Sequence, residues 1–391
     1  MSNVIVSFAR TPIGSFLGSL SNVSAPKLGS AAIKGSLEKI NMDSKLVNQV
    51  ILGNVLSAGI GQAPARQAAI FAGLEKSVQC LTINKMCGSG LQAVMMADQI
   101  INNNPDEIII AGGMESMSQS PHYLLNSRTG NRLGNGKLVD GMIIDGLWDV
   151  YNDKHMGNCA EMCAEKYDIS RDEQDNYAIE SYKKSQDSIT NNIFSKEIIP
   201  IEVSSKKEVM TVSSDEEPYK VKFEKIRSLN PVFDKQGTVT AANASTINDG
   251  AAVCIIMSEK KAKALGLEPI AEIISYSSFS QEPEWFTTAP VFSIKKLIKN
   301  TGININEIDL FEINEAFSVV ALAAIKNLNL NPEKVNIYGG AVSLGHPIGA
   351  SGSRILCTLL NALTNENKNQ GIASICIGGG EASSILVRRL S

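Results

Sequence analysis

Short runs of β-branched residues alternate with helical patterns along most of the chain. Asn48–Val55 (NQVILGNV), Leu81–Asn84 (LTIN), Glu107–Gly113 (EIIIAGG), Ala252–Ser258 (AVCIIMS), Ala271–Ser277 (AEIISYS), Ile308–Asn314 (IDLFEIN) and Ala373–Gly380 (ASICIGGG) read as strands, and Val4–Arg10 (VIVSFAR) is strand-like. Between them, Ser89–Asn104 (SGLQAVMMADQIINNN) and Ala316–Leu328 (AFSVVALAAIKNL) carry helical patterns. Strands alternating with helices predict an α/β architecture with buried sheets.

The pattern also repeats. VILGNVLSA from Val50 matches IDLFEINEA from Ile308, SGLQAVMMA from Ser89 matches SGSRILCTL from Ser351, and IIIAGGMES near Ile110 matches ICIGGGEAS near Ile377. Three matches in the same order, at a nearly constant offset of roughly 260 residues, predict two related halves rather than a solenoid. Ser118 to about Thr240 breaks the rhythm with a Gly- and Asn-rich stretch, NSRTGNRLGNGK (Asn126–Lys137), and charged helical segments. One of these opens with Ser170 and carries Glu173 three residues on, the pattern of a capping box. The predicted organisation is 1–118 plus 241–267 as one core half, 119–240 as an inserted loop domain, and 268–391 as the second half.

Composition narrows the function classes. The chain has 391 residues, 43% apolar and 19% charged, ordinary values for a globular enzyme of about two to three domains. A formal charge of -4 argues against a general nucleic-acid surface. No apolar run approaches the ~20 residues of a membrane span, and the last residues, VRRLS, form neither a peroxisomal nor a lipidation signal. Seven cysteines without framework spacing predict reduced thiols and a cytoplasmic protein, with no membrane and no nucleic-acid partner.

Four stretches carry candidate chemistry. Cys87, in NKMCGSG, follows a predicted strand and precedes a predicted helix. A helix N-terminus favours thiolate, so Cys87 reads as a nucleophile, although the stretch alone reads more readily as a small apolar residue packed in a bend. Gly88 and Gly90 let a ligand or another backbone approach closely. His346, in GGAVSLGHPIGASG, is one of only three histidines and lies in a Gly/Pro-bounded loop, as a general base or a turn histidine. Cys376 ends a strand before three glycines, whose bare N–H groups suit an oxyanion hole or a tight turn. Asn314, in EINEAF, suits the orientation of a water or an N-cap. His155, Cys159 and Cys163 share a helical spacing that suggests a metal site, but no fourth ligand falls near, and the segment reads better as an amphipathic helix.

Taken in series, NKMCGSGLQA, HMGNCAE, GTVTAANASTINDGAA, NEAFS, GGAVSLGHPIGASG and CIGGG resemble the thiolase family in its own motif order, with a likeness running from ARTPIGSF to the last strand. Within the family the chain is most similar to the biosynthetic acetyl-CoA acetyltransferases. The resemblance implies a duplicated αβαβα five-layer sandwich beneath a loop domain. It implies Cys87 as the acetylated nucleophile and His346 as the group that takes the thiol proton and helps stabilise the thioester oxyanion. Cys376 is implied as the acid/base acting on the second acetyl-CoA, and Asn314 as the holder of a water that joins His346 in one oxyanion hole. Backbone N–H groups of Cys87 and Gly378 would form the other hole. Leu147, His155, Met156, Ser245, Ala316 and Phe317 match coenzyme A contacts, and Phe286 matches a position lining the acyl pocket.

The implied reaction joins two acetyl-CoA into acetoacetyl-CoA and free coenzyme A, reversibly, with no tightly bound cofactor. Two alternatives remain, a degradative 3-ketoacyl-CoA thiolase of broader chain length and a non-catalytic acyl-CoA or lipid-binding protein. EEPYKVKF with TVTAANAST resembles the potassium-activated branch, with Tyr219, Ala241, Ala242, Ala244 and Val342 as the matching ion contacts. Asn126–Lys137 resembles the segment that joins dimers into a homotetramer. The chain departs from the family's pattern at Pro218 and Tyr219, where many members carry an adenine-stacking arginine, and at Glu381 after CIGGG.

Overall fold

The computed structural model describes residues 2–130, 132–204 and 209–390. Nine strands build the core: β1 (Asn3–Arg10), β2 (Gln49–Gly53), β3 (Gln79–Ile83), β4 (Ile109–Ser116), β5 (Asn248–Ser258), β6 (Ala271–Ser280), β7 (Leu310–Ile313), β8 (Gln370–Ile377) and β9 (Glu381–Arg389). The helices that position them are α1 (Ala25–Glu38), α2 (Pro64–Phe71), α3 (Ser89–Asn103), α4 (Met156–Lys166), α5 (Arg171–Thr190), α6 (Ala289–Thr301), α7 (Ser318–Leu328) and α8 (Ile348–Asn365).

The strands run in the order β7-β8-β9-β6-β1-β5-β4-β2-β3. The first half reads 2-4-5-1, with β2 and β4 parallel and the β4–β5 and β5–β1 pairs antiparallel. The second reads 7-8-9-6, with β7 and β8 parallel and the β8–β9 and β9–β6 pairs antiparallel. The two halves therefore share one topology, as the internal repeat predicts. A short β1–β6 pairing at Val4–Glu272 and Ile5–Ala271 joins them.

Alternation along each strand sorts side chains into layers. On β5, Val253, Ile255 and Met257 pack outward with α1 and α2, while Ala252, Cys254 and Ile256 face a central layer. That layer is α3 and α8, which meet each other and both half-sheets. The outer face of the second half is covered by α6 and α7. Five layers result, and α8, buried from Ile348 to Leu363 on all sides with its polar side chains included, is placed as a central-layer helix. Among the described residues no helix is long and apolar enough to cross a membrane.

The segment between β4 and β5 lies over the core as short hairpins and the helices α4 and α5. The expected capping box opens α5, with Ser170 Oγ accepting from Glu173 N–H and Glu173 accepting from Ser170 N–H at 2.7 Å. Arg10 anchors the segment from below. Its buried guanidinium donates to both oxygens of Asp215 (2.7 and 2.8 Å) and to Glu197 (2.6 Å), a bidentate arrangement that satisfies an otherwise costly buried charge. Within Asn126–Lys137, Asn131 lies outside the described residues.

Candidate active site

The ends of β3, β7 and β8 and the start of α8 converge beneath the inserted segment on a cavity of about 230 Å³. Cys87, His346, Gly378, Leu147, His155, Met156, Ser245, Phe286, Ala316 and Phe317 all line it. Cys376 and Asn314 lie fully buried at its margin.

Cys87 stands two residues before α3, after Met86 at φ 46°, a left-handed value that a bulky residue adopts only when the surroundings enforce it. The backbone N–H groups of Gly378 and of Cys87 itself act to lower the thiol's pKa. Burial nevertheless pushes the thiol up to about 11. Gly88 and Gly90 serve packing within the protein. A Cβ on Gly88 would lie 2.4 Å from Ile377 Cδ1, and one on Gly90 would lie 2.8 Å from Ser353 N of α8. At Gly90 the backbone of α8 makes the close approach, and at Gly88 a side chain, Ile377, makes it.

His346 is fixed from both sides. Its N–H donates to Asn248 Oδ1 at 2.8 Å, and its Nδ1 lies 2.6 Å from Ser351 Oγ. Burial, reinforced by the Arg354 charge, lowers the imidazole to about 3, so it is neutral at pH 7. Nε2 has no protein partner among the described residues. Burial, with the Cys87 thiol nearby, pushes the Cys376 thiol far up, against N–H groups of Cys376 and Ala316 that oppose the shift. Asn314 is not an N-cap, because α7 begins after Phe317 without a side-chain cap. Both polar atoms of its carboxamide lack a protein partner among the described residues. Leaving such atoms bare costs about 1–3 kcal/mol, so the carboxamide is free to meet a water or a ligand.

The mouth of the cavity is aromatic. His155 Nδ1 caps α4 through Gly157 N–H at 3.1 Å, and its ring stacks on Phe233 at 4.8 Å. Phe317 meets Phe233 and Phe286 edge-on at 6.1 and 6.4 Å. Phe233, Met117, Thr246, Ile247 and Ile348 also line the cavity and were not singled out in the sequence. Phe233 sits in the irregular stretch NPVFDK, where no periodicity marks it, and Asn248, which seats the His346 loop, reads as an ordinary strand start.

His155, Cys159 and Cys163 do not assemble as ligands. The two cysteines are buried in the core behind α4, and no metal-ligating cluster forms among the described residues. Of the residues expected to hold potassium, Tyr219 and Val342 face different turns of α5. Tyr219 is exposed and its hydroxyl meets Thr190 Oγ1 (3.1 Å) and Gln186 O (3.3 Å) at the end of α5. Val342 packs earlier along that helix, on Ala178 and Tyr182. The displacement arises because Pro218 is buried and its carbonyl is held by Gln186 Nε2 at 2.7 Å, which turns Tyr219 outward. Ala242 and Ala244 are buried, and Ala241 is exposed.

Duplicated half-sheets around a shared helix pair, with two thiols and an uncharged histidine closing one cavity, define an α/β protein with a cysteine-centred site. The chain belongs to the thiolase family: the thiolase N-terminal domain matches residues 3–260 and the thiolase C-terminal domain residues 267–389. It is 51% identical to acetyl-CoA acetyltransferase 2 of Arabidopsis thaliana over 99% of this chain and 96% of that protein. It is 49% identical to the acetyl-CoA acetyltransferase of Saccharomyces cerevisiae, over 99% and 98%. The Acat5 thiolase of Ascaris suum in complex with coenzyme A superposes with a TM-score of 0.94 at 44% identity, covering both chains fully. The Bacillus anthracis acetyl-CoA acetyltransferase does so with a TM-score of 0.97 at 38% identity, over 100% and 99%.

Proposed function

We propose that the protein is an acetyl-CoA C-acetyltransferase that joins two acetyl-CoA into acetoacetyl-CoA and coenzyme A, reversibly, through an acetyl-Cys87 intermediate. One observation carries the reading: Cys87, Gly378 and His346 line one cavity, His346 with an Nε2 that has no partner among the described residues, and the second thiol, Cys376, lies near enough to Cys87 to be shifted by it. The relatives at about half identity over nearly full length bear the same activity in their names.

In this reading Nε2 of His346 takes the proton of Cys87 as its sulfur attacks the acetyl-CoA carbonyl. The N–H groups of Cys87 and Gly378 hold the oxyanion. Coenzyme A leaves with the proton of Cys376, and the acetyl group stays on Cys87. The Cys376 thiolate then removes a methyl proton from the second acetyl-CoA. Its enolate oxygen is held by the Nε2–H of His346 and by a water on Asn314. The carbon attacks acetyl-Cys87, and the departing Cys87 sulfur recovers its proton from His346. Each group ends in the protonation state in which it began, Cys376 carrying the methyl proton in place of the one that left with coenzyme A. Leu147, His155, Met156, Ser245, Ala316 and Phe317 hold coenzyme A along the aromatic mouth, and Phe286 limits acyl length. Potassium takes no step here; Tyr219 and Val342, two of the contacts read for it, meet different turns of α5.

Residues 1–118 with 241–267 and residues 268–391 act as the two core halves, with 119–240 as the loop domain above them. The seven cysteines are all free, which fits a reducing, cytoplasmic setting. Leu133 is 99% exposed, and Leu124, Leu125 and Leu138 are exposed beside it on one hairpin; apolar tips of this kind fit a homotetramer. A dimer in sedimentation at micromolar concentration would refute the tetramer. The function is tested by incubation with acetyl-CoA and mass analysis of Cys87, followed by thiolysis of acetoacetyl-CoA against longer 3-ketoacyl-CoA. Absence of an acetyl adduct favours a non-catalytic binding protein, and comparable turnover of long chains favours a degradative thiolase.

A further inference from the structure

Glu381, the departure after CIGGG, forms an ion pair with Lys85 Nζ, both side chains about a third exposed. The pair links the two segments that surround the Cys87 sulfur. Lys85 belongs to the nucleophile's turn: its N–H donates to Ser89 Oγ at 2.8 Å and its carbonyl accepts from Gly88 N–H at 3.1 Å. Glu381 opens β9 opposite Ile377. Between Ile377 and Glu381 run three glycines, with φ of 94° at Gly379 and 87° at Gly380.

A turn of three glycines has no side chain by which it can be held, and so it is fixed from outside. Gln281 N–H donates to the Gly380 carbonyl at 2.9 Å. Ile377 fills the space above Gly88. Lys85 holds Glu381. Gly378, which lines the cavity together with Cys87, is thereby bracketed by an apolar contact on one side and an ion pair on the other.

We propose that the Lys85–Glu381 ion pair is a positioning clamp for the oxyanion hole, locking the Gly378–Gly380 turn against the nucleophile's turn so that the N–H groups of Gly378 and Cys87 face one oxygen. The inference rests on the acyl-transfer reading above. Neither side chain touches substrate; both act through Gly378. A fixed donor favours charge that develops in the transition state, so its loosening appears in kcat rather than KM. A pair this exposed is also screened by salt.

The test compares Glu381→Gln, Lys85→Met, the double variant and the charge swap K85E/E381K in acetoacetyl-CoA thiolysis, with single-turnover acetylation of Cys87 alongside. Each single variant is expected to lower kcat and the acetylation rate about tenfold, short of the ~10²–10³ lost on removing an oxyanion donor outright, with KM nearly unchanged. The double variant is expected to be no worse than the singles, and the swap to recover part of the loss. Wild-type kcat is expected to fall with added tetramethylammonium chloride, and that of Glu381→Gln to stay level. Wild-type kcat in both singles, losses that multiply in the double, or a change confined to KM would overturn the clamp. If a variant fails to fold by its melting temperature, a salt-independent wild-type kcat overturns it as well. A wild-type protein that never acetylates Cys87 is a separate result, which removes the acyl-transfer reading and the clamp with it.

Discussion

Nδ1 of His346 lies 2.6 Å from the hydroxyl of Ser351, which gives its own proton to the carbonyl of Pro347 at 2.9 Å. A hydroxyl has one proton, so Ser351 can only accept from the ring. Nδ1 therefore carries the imidazole proton, and Nε2 presents its lone pair. Removing the hydroxyl frees the ring to change tautomer and turn. Ser351→Ala is expected to lower kcat about tenfold at constant KM, while His346→Ala loses the ~10²–10⁴ of a general base. Ser351→Thr keeps the hydroxyl and should retain most activity. Steady-state kinetics of the three variants decide it, and a Ser351→Ala enzyme with wild-type kcat would remove the tautomer argument.

The resting state of the nucleophile follows from the same geometry. Burial lifts the Cys87 thiol to about 11 and lowers the His346 imidazole to about 3, so both are uncharged in the free protein from pH 5 to 9. Only the thiolate is alkylated. Below a thiol's pKa its thiolate fraction rises tenfold per pH unit, so the alkylation rate of Cys87 by iodoacetamide should rise about tenfold per unit from pH 7 to 10 without a plateau. Mass analysis of Cys87 against time at each pH measures this. A plateau beginning below pH 8 would mean a standing thiolate–imidazolium pair instead.

Much of the fold was legible because alternation and duplication are properties of the chain itself. The repeat at Val50 and Ile308 falls on β2 and β7, which occupy equivalent places in the two half-sheets. The strand β9 was not read, since it follows the glycine turn directly and its serines (Ser383, Ser384) mask a fully buried run. The N-cap reading of Asn314 fell only when α7 was seen to begin after Phe317. Tyr219 was misplaced because spacing along an irregular segment does not say which way a tyrosine turns. Glu381 had no account in the sequence for a similar reason: its partner, Lys85, is distant along the chain and adjacent only once β8 and the nucleophile's turn meet.

Glu115, unremarked in the sequence, holds the floor of the site together. One carboxylate oxygen accepts from Asn54 Nδ2 (2.7 Å) and Leu56 N–H (3.1 Å), the other from Val55 N–H (3.0 Å) and Gly349 N–H (2.9 Å), at the start of α8 just after His346. Glu115→Gln turns an NH₂ toward N–H donors and should cost about 1–3 kcal/mol in urea unfolding. The pH dependence has a definite sign. Burial raises the folded carboxyl to about 7, above its ordinary 4.5, so between those values the folded protein keeps a proton that the unfolded chain has lost. Its contribution is complete below the unfolded value and is lost as pH rises through 7. Gln does not titrate, so the deficit of the variant should shrink from pH 5 to pH 9. A deficit that grows instead would show that the four donors outweigh burial and keep the group charged.

Phe286 is the wall proposed above to limit the length of acyl chain the cavity admits. It is 3% exposed in the Pro283–Thr288 turn, packed edge-on against Phe317, and its ring forms one wall of the cavity. Shortening this side chain removes a wall rather than a binding group, so the four-carbon substrate loses little while longer chains gain space. One methylene in an apolar pocket discriminates by roughly 10–200-fold, which bounds the effect. Phe286→Leu is the variant of choice, because Phe→Ala in a core costs about 3–5 kcal/mol and would mix stability with specificity. The ratio of kcat/KM for the six-carbon over the four-carbon 3-ketoacyl-CoA should rise at least tenfold, toward the lower bound for one methylene. If both substrates fall together and the ratio stays fixed, Phe286 supports the site without selecting its substrate, and the limit on chain length lies with another wall, Met117 or Ile348 being the residues to test next.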